Sequence, residues 1–273
     1  IDAFYSYPAP ENLTQFEADP RFNVLSGSTE GETILAINNK ATPFENKMVR
    51  QAVTHAIDRQ AIIDGAMFGY GTPIGTHFAP HNPAYVDLTG QSAYDPERAR
   101  ALLAEAGFAE GFEFDFVCTN ESYVNEEQFC QAIASMWSRI GLTPKLDIGP
   151  TAKQTPKRAN GKADVYTIGW ATLPMLDTYS VLVQMLHSKD GNSGVFNWGG
   201  WSYPELDELV QKAGKELDLE TRLGYETQAL QIVKDEHIML PLHQQPMAWA
   251  VADTVAEMPL FPDNKPRLWF VQM

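Results

Sequence analysis

Aromatic and polar side chains that could bind a small ligand follow several strand-like segments of this sequence or stand in its glycine-rich turns. In open α/β sheets, ligands bind at the carboxyl ends of the strands, and ligand pockets combine apolar walls with a few polar groups. The pattern therefore predicts one mixed cleft, although each aromatic taken alone could instead pack in the core. The predicted lining consists of Asn120, Ser122, Tyr123, Trp170, Thr172, Asp177, Tyr179, Asn197, Trp198 and Trp201.

No arrangement typical of catalysis stands out in the sequence. Its Ser-Gly pairs at 26–28 and 193–194 lack the G-x-S-x-G pattern of a nucleophile elbow. The adjacent carboxylates Glu126-Glu127 and Asp235-Glu236 are predicted to lie on solvent-facing helix surfaces, which argues against an acid and base pair. We therefore predict a binding protein that is not an enzyme, with a hydrolase as the less favoured alternative.

His77 and His81 have a spacing that two metal ligands on one helix face could use. Gly75 and Pro80 argue against a helix there, and no cysteine or carboxylate stands close by in the sequence. The sequence therefore predicts loop histidines, with no metal site and no cofactor.

Cys118 and Cys130 are the two cysteines of the chain and lie 12 residues apart. The first ends a predicted strand, and the second lies near the start of the following helix. A bridge closing such a loop stabilises a fold by about 3 kcal/mol in the chain-entropy treatment. We predict a Cys118–Cys130 disulfide and an oxidising compartment, and the alternative is two buried free thiols.

Charge and length exclude several classes of protein. The 273 residues include 20 Lys and Arg against 35 Asp and Glu, which gives a formal net charge of −15. Such an acidic balance argues against nucleic-acid binding. No apolar run approaches about 18 residues, so direct membrane insertion is not expected. Because the chain starts at Ile1, we expect either a removed signal peptide or a fragment of a longer chain.

Apolar periodicity predicts helices that alternate with strands, which is typical of an α/β fold with a parallel or mixed sheet. The predicted strands cover residues 34–37, 112–118, 144–148, 165–170 and 239–243. The predicted helices cover 49–65, 95–107 and 125–141, and two more begin at Pro204 and Asp218. Residues 69–92 and 150–162 are predicted loops.

Irregular segments rich in aromatic residues and proline lie at both ends of this helix and strand pattern. We predict that residues 31–245 form one α/β ligand-binding lobe. Residues 1–30 are the incoming segment and residues 246–273 the return segment, and both would pack on a second lobe.

Several stretches, in their order and spacing over about residues 35–245, resemble the extracellular solute-binding proteins of family 5, the dipeptide- and oligopeptide-binding components of bacterial ABC importers. The stretches are Val49-Arg50-Gln51-Ala52 with Ala56-Ile57-Asp58-Arg59, Tyr94-Asp95-Pro96-Glu97-Arg98-Ala99 with Leu102-Leu103-Ala104-Glu105-Ala106-Gly107, Ile140-Gly141-Leu142, Ile168-Gly169-Trp170, Leu206-Asp207-Glu208-Leu209 and Met239-Leu240-Pro241-Leu242.

The resemblance implies one lobe of a two-lobed, type II periplasmic-binding-protein fold, with a mixed sheet flanked by helices. It further implies closure of two lobes on a peptide or related small solute, with the hinge near residues 34–38 and 239–245. A membrane permease would be the partner, and the location would be periplasmic or extracellular. The alternative within binding is a ligand-sensing module of a transcription regulator with the same fold.

The expected ligand contacts are only partly present. Peptide-binding members of the family place an aspartate shortly after a Gly-Trp pair, which corresponds to Gly169-Trp170 in the predicted strand 165–170. That aspartate pairs with the α-ammonium of the ligand. Here Gly169-Trp170 continues as Ala171-Thr172-Leu173, so Ala171 and Leu173 join the predicted lining and Leu173 replaces the acid. Some dipeptide binders also have an arginine in the loop that corresponds to 119–123, which has none here. Because buried charges need partners, we expect a longer peptide, a modified amino acid, an opine or a small sugar rather than a free dipeptide held by both termini.

Overall fold

The computed structural model describes residues 2–4, 9–77, 80, 82–172 and 177–272. Seven strands of this part form one mixed sheet, in the order β1-β7-β2-β6-β4-β5, with β3 paired to β7. The strands are β1 (Ala3–Phe4), β2 (Phe22–Ile37), β3 (Thr72–Pro73), β4 (Glu113–Thr119), β5 (Thr143–Gly149), β6 (Val165–Trp170) and β7 (Met239–Ala252).

Helices cover the sheet. They are α1 (Leu13–Glu17), α2 (Lys47–His55), α3 (Arg59–Ala66), α4 (Pro96–Glu105), α5 (Glu126–Arg139), α6 (Thr151–Ala159), α7 (Tyr179–Val181), which continues as a π-helix (Leu182–Leu186), α8 (Pro204–Ala213) and α9 (Leu219–Asp235). The predicted start of α4 is confirmed, because the Asp95 carboxylate accepts a hydrogen bond from the Arg98 backbone N–H and Pro96 is its first residue.

Two strand directions meet at the edge of the sheet that carries the predicted cleft. Strands β4, β5 and β6 are mutually parallel, so their carboxyl ends lie at one edge. Strand β2 is antiparallel to both β6 and β7, and Glu32 of β2 pairs with Trp170 at the carboxyl end of β6. The last residues of β6 are therefore flanked by the middle of β2.

Both faces of the sheet are buried, which explains why residues 34–37 are apolar without alternation. Leu35 and Ile37 belong to a core around Trp137 that includes residues of α2 to α5. Ile34 and Ala36 belong to a second core with residues of the π-helix, α8 and α9. Successive residues of a strand point to opposite faces, so β2 separates the two cores.

The predicted loop at 150–162 is wrong, because residues 151–159 form helix α6. Its two buried side chains are polar. Gln154 donates to the Asp147 carbonyl oxygen at 3.0 Å, and Arg158 donates to the Thr167 carbonyl oxygen at 2.7 Å. A helix whose inward residues are Gln and Arg shows no apolar stripe, so hydrophobic periodicity does not detect it.

The predicted helix 49–65 is two helices, because a new one begins at Arg59. Helix α2 ends at His55, and the Asp58 carboxylate accepts a hydrogen bond from the Ala61 backbone N–H, which makes Asp58 the N-cap of α3. The apolar stripe of α2 continues through the turn and hides this break.

Strands β2 and β7 extend beyond the α/β body as an antiparallel ribbon, and β1 pairs with the far end of β7. Residues 22–28 of β2 pair with residues 246–252 of β7. Both strands cross the boundaries predicted at 30 and 246, so the incoming and return segments leave the α/β body side by side. Within the described residues, no helix is long and apolar enough to span a membrane.

Candidate functional site

A cavity of about 260 Å³ lies where the end of β6 meets β2 and β7. It contains three of the predicted residues, Ser122, Tyr123 and Ala171, and it adds residues of the two long strands and of the carboxyl-terminal segment. The full lining is Thr29, Gly31, Thr33, Ser122, Tyr123, Val124, Ala171, His243, Gln245, Pro246, Pro262, Asp263 and Asn264.

A second cavity of about 490 Å³ adjoins the first along residues 120–128. The two share Ser122, Tyr123 and Val124, so the loop between β4 and α5 forms a wall of both. The predicted residue Asn120 lines this second cavity.

That loop is held in place by Glu126, the first residue of α5. One carboxylate oxygen of Glu126 accepts from the Thr119 backbone N–H at 2.9 Å and from the Thr167 hydroxyl at 2.6 Å. The other accepts from the Thr119 hydroxyl. Glu126 is buried, so its predicted solvent-facing position is wrong, whereas Glu127 is exposed. The carboxylate satisfies polar groups at the end of β4 and within β6 and thereby fixes the start of α5.

The predicted disulfide is confirmed: Cys118 of β4 is bonded to Cys130 of α5, with the two Cα atoms 6.7 Å apart. The disulfide and the Glu126 hydrogen bonds both connect α5 to β4. The loop that contains Tyr123 lies between these two elements in sequence, so its two ends are held together.

The Tyr123 ring lies against β6 at Gly169. A Cβ atom on Gly169 would be 2.7 Å from the Tyr123 hydroxyl oxygen and 2.5 Å from the Glu32 carbonyl oxygen. Glycine is therefore required for this contact. Burial is the main cause that raises the pKa of Tyr123, so at neutral pH the phenol is uncharged and available as a hydrogen-bond donor.

His243 and Thr33 lie in the first cavity and were not predicted. They are 1% and 0% exposed, and they are paired across β7 and β2. Burial lowers the pKa of His243 to about 4, so the imidazole is neutral at pH 7. The sequence signal is that each is a polar residue beside an apolar strand segment, but only the pairing of residues 210 positions apart brings them together.

Charge is scarce in the lining of the first cavity. Among the residues that line it in the described structure, there is no Lys or Arg. Asp263 is the acid of the lining, and it accepts a hydrogen bond from Arg267 at 3.2 Å. Arg267 in turn lies 3.9 Å from the ring centroid of Phe261.

Two further predicted residues lie beside this cavity but are not in its lining. The Trp170 ring packs edge-on against Phe196, and its indole N–H donates to the Ser180 hydroxyl at 3.3 Å. The Thr172 hydroxyl donates to the Glu30 carboxylate at 3.0 Å, and both residues are buried. Leu173 lies outside the described residues.

The remaining predicted residues lie elsewhere. Asp177 accepts a hydrogen bond from Arg222 at 2.6 Å, in a separate cavity of about 240 Å³. Asn197 is buried and donates to two carbonyl oxygens, those of His187 and Trp201, so it stabilises a turn. The Trp198 ring lies 5.7 Å from the Arg158 guanidinium.

The two remaining aromatics, Tyr179 and Trp201, are placed outside the first cavity as well. Trp201 is buried in the second core, so it has the alternative role considered for each aromatic, which is core packing. Tyr179 packs against that core and lies 5.7 Å from the Arg222 guanidinium.

Comparison with known proteins decides the family. The sequence profile of the bacterial extracellular solute-binding proteins, family 5 Middle, matches residues 1–193. The chain belongs to this family. The resemblance predicted from the short stretches is thereby confirmed.

The relatives of this family 5 chain are named for different ligands. Heme-binding protein A of Haemophilus influenzae is 29% identical over 262 residues, which cover 95% of this chain and 46% of the relative. Di/tripeptide-binding protein 1 of Pseudomonas aeruginosa is 28% identical over 254 residues, which cover 90% of this chain and 47% of the relative. The chain therefore spans about half the length of the curated relatives it matches.

Solved structures show the same fold. The ABC transporter-associated periplasmic binding protein DppA from Helicobacter pylori, in complex with peptide STSA, has a TM-score of 0.81 at 19% identity. The match covers 93% of this family 5 chain and 49% of that one. The predicted fold class is confirmed: the chain has the fold of one lobe of a type II periplasmic-binding protein, with a mixed sheet flanked by helices.

Metal-ligating side chains do not cluster in the described part of this family 5 chain. No group of three or more His, Cys, Asp or Glu side chains there could hold a metal ion. The His77 ring nitrogen Nδ1 lies 2.9 Å from the Glu32 carboxylate, with both side chains buried. His81 lies outside the described residues.

Proposed function

We propose that this chain provides one ligand-binding lobe of an ABC-importer solute-binding protein, and that the ligand is a peptide or a related small solute. The observation that carries the proposal is the cavity at the end of β6. It combines apolar walls, a neutral phenol and imidazole, and several amide and hydroxyl groups, which is the composition of a small-molecule site. The names of the relatives and the description of the family support export and binding rather than catalysis.

Lobe closure is proposed from the ribbon of β2 and β7. Two strands that leave the α/β body side by side form a connection that can bend between Ser28 and Glu32, where their pairing register shifts, because residues 34–37 of the predicted hinge are paired within the sheet. The segment at 268–270 exposes three large apolar side chains, of which Trp269 is 75% exposed. We propose that residues 1–30 and 246–273 contact a first lobe. The matched relatives are long enough to include such a lobe, because the matches cover 46% and 47% of their length.

Ligand class follows from the charges. Since Asp263 is engaged by Arg267 and no cation lines the described cavity, the lobe does not neutralise both termini of a free dipeptide. A longer peptide, a modified amino acid, an opine or a small sugar suits the lining. A membrane permease is the proposed partner, and the periplasm or the cell exterior is the proposed location.

Native mass spectrometry tests this proposal on the protein expressed from its complete gene. We expect extra mass in the native spectrum that disappears on denaturation, with a value that separates a peptide from a sugar or an opine. Tripeptides and tetrapeptides are then titrated calorimetrically. Absence of a bound molecule, together with no heat from any of these solutes, would refute the binding function.

A further inference from the structure

Two buried polar atoms of residues that line the first cavity have no hydrogen-bond partner among the described residues. They are Nδ1 of His243 and Oγ1 of Thr33, and the two residues face each other across β7 and β2. Leaving a buried polar group unpaired is unfavourable. Both residues line one cavity, so a molecule bound there is the candidate partner for both atoms.

The imidazole is held in one orientation by its surroundings. Its ring lies edge-on to Phe129, with 5.7 Å between ring centroids and planes 79° apart. Phe129 lies in α5 next to Cys130, and the disulfide and the Glu126 hydrogen bonds fix that helix relative to β4. His243 is therefore a preorganised group.

The chemistry of this pair is neutral. At pH 7 an imidazole whose pKa is lowered to about 4 has one N–H donor and one nitrogen acceptor, and a threonine hydroxyl can donate or accept. A carboxylate or ammonium group placed here would be buried without an opposite charge, because no cation lines the described cavity and Arg267 already engages Asp263.

We propose that Thr33 and His243 form a specificity site that binds an uncharged amide or hydroxyl group of the ligand. This inference rests on the proposed function and refines it. A ligand amide can donate to one atom of the pair and accept from the other, whereas an apolar group leaves both unpaired. The cavity volume of about 260 Å³ is below the roughly 300–1,000 Å³ of whole ligand pockets, so the site accepts one part of the ligand.

Two isosteric substitutions test the inference. His243→Phe keeps a ring beside Phe129 and removes the nitrogens, and Thr33→Val replaces the hydroxyl with a methyl group. His55→Phe is the matched control, since His55 lies outside the cavity and its Nδ1 contacts the Ala93 carbonyl oxygen. The probe is N-acetyl-alanyl-alanine amide, which has three amides and no charge, together with the ligand that native mass spectrometry identifies.

We expect a Kd for the probe at least tenfold higher in His243→Phe and in Thr33→Val, and unchanged in His55→Phe. Melting temperatures of the two cavity variants should stay the same or rise, because each variant removes an unpaired buried polar atom. A merely structural role would instead lower them. In the unsubstituted protein labelled with ¹⁵N-histidine, saturation with the probe should shift the Nδ1 resonance of His243.

Unchanged affinity in both cavity variants would overturn the inference and leave the proposed binding function standing. If neither the probe nor any peptide binds the unsubstituted protein, the binding function fails and the specificity site fails with it.

Discussion

Gly169 and Tyr123 share one space at the end of β6: a Cβ atom on Gly169 would lie 2.7 Å from the Tyr123 hydroxyl oxygen. The absence of a side chain on one residue is therefore what allows the other to form a wall of the cavity. The Glu32 carbonyl oxygen, 2.5 Å from the same point, leaves no room for movement toward β2.

Gly169→Ala is expected to destabilise the fold by about 1–3 kcal/mol, the usual effect of overpacking, and to weaken ligand binding by displacing Tyr123. Gly65→Ala is the matched control, because a Cβ atom there meets nothing within 4 Å and Gly65 lies in α3. In a helix this change stabilises by up to about 1 kcal/mol. Urea unfolding measures both, and equal stabilities for the two variants would contradict the steric argument.

The Cys118–Cys130 bridge is expected to stabilise the fold by about 3 kcal/mol, given its 12-residue separation. The double variant Cys118→Ala/Cys130→Ala should show that loss in the free energy of unfolding. Dithiothreitol should lower the stability of the unsubstituted protein to a similar level and leave the double variant unchanged. A reductant effect on the double variant would show that the loss does not come from the bridge.

Glu126 and Glu127 are adjacent in sequence and differ in environment, which makes them a matched pair. Glu126→Ala leaves the Thr119 and Thr167 donors buried without their acceptor, so a loss of roughly 3 kcal/mol is expected. Glu127→Ala changes an exposed side chain and should stay within about 0.5 kcal/mol. Chemical unfolding of both variants measures these losses of stability. Similar losses would show that the Glu126 carboxylate has no special role.

Sequence patterns predict the elements that alternation or capping marks. Phe114 and Phe116 alternate with acidic and apolar neighbours, and β4 appears where that pattern predicts a strand. Asp95, Pro96 and the left-handed Gly107 mark both ends of α4, and the structure places them there. These signals are local, so a single sequence is sufficient to detect them.

The parts that sequence reasoning misses depend on contacts between distant residues. Hydrophobic periodicity does not detect helix α6, because its inward residues are polar. Gln154 and Arg158 donate hydrogen bonds to β5 and β6. The Thr33 and His243 pair depends on strand register, which no local pattern reveals. Ser122 and Tyr123 are predicted because they follow a strand end, and Ala171 because it follows the Gly-Trp of the family resemblance. Asp177 and Asn197 follow later turns whose direction the sequence does not determine.

Lys234 of α9 is buried, and its hydrogen bonds are to uncharged polar groups. Its ammonium donates to the Gly75 carbonyl oxygen at 2.8 Å and to the Ser92 hydroxyl. Burial, and then the nearby Arg59, lowers the pKa of Lys234 to about 7. An unfolded lysine has a pKa of about 10.4. Between these values the unfolded chain binds a proton that the folded chain does not, so stability should rise as pH increases from 7 toward 10.

Lys234→Met should therefore flatten the rise in unfolding free energy between pH 7 and pH 9. Lys212→Met is the control, because Lys212 is exposed beside Glu208 and its pKa is raised, so that it keeps its proton throughout this range. The measurements stop at pH 9 because tyrosines change the slope above that pH. Burial raises the pKa of Tyr123 and Tyr166 in the folded protein, so the same tyrosines lose their protons first in the unfolded chain, which lowers stability as pH increases further. Urea titrations at pH 7, 8 and 9 give the slopes. If Lys234→Met retains the slope of the unsubstituted protein, Lys234 is charged in the folded state across this range.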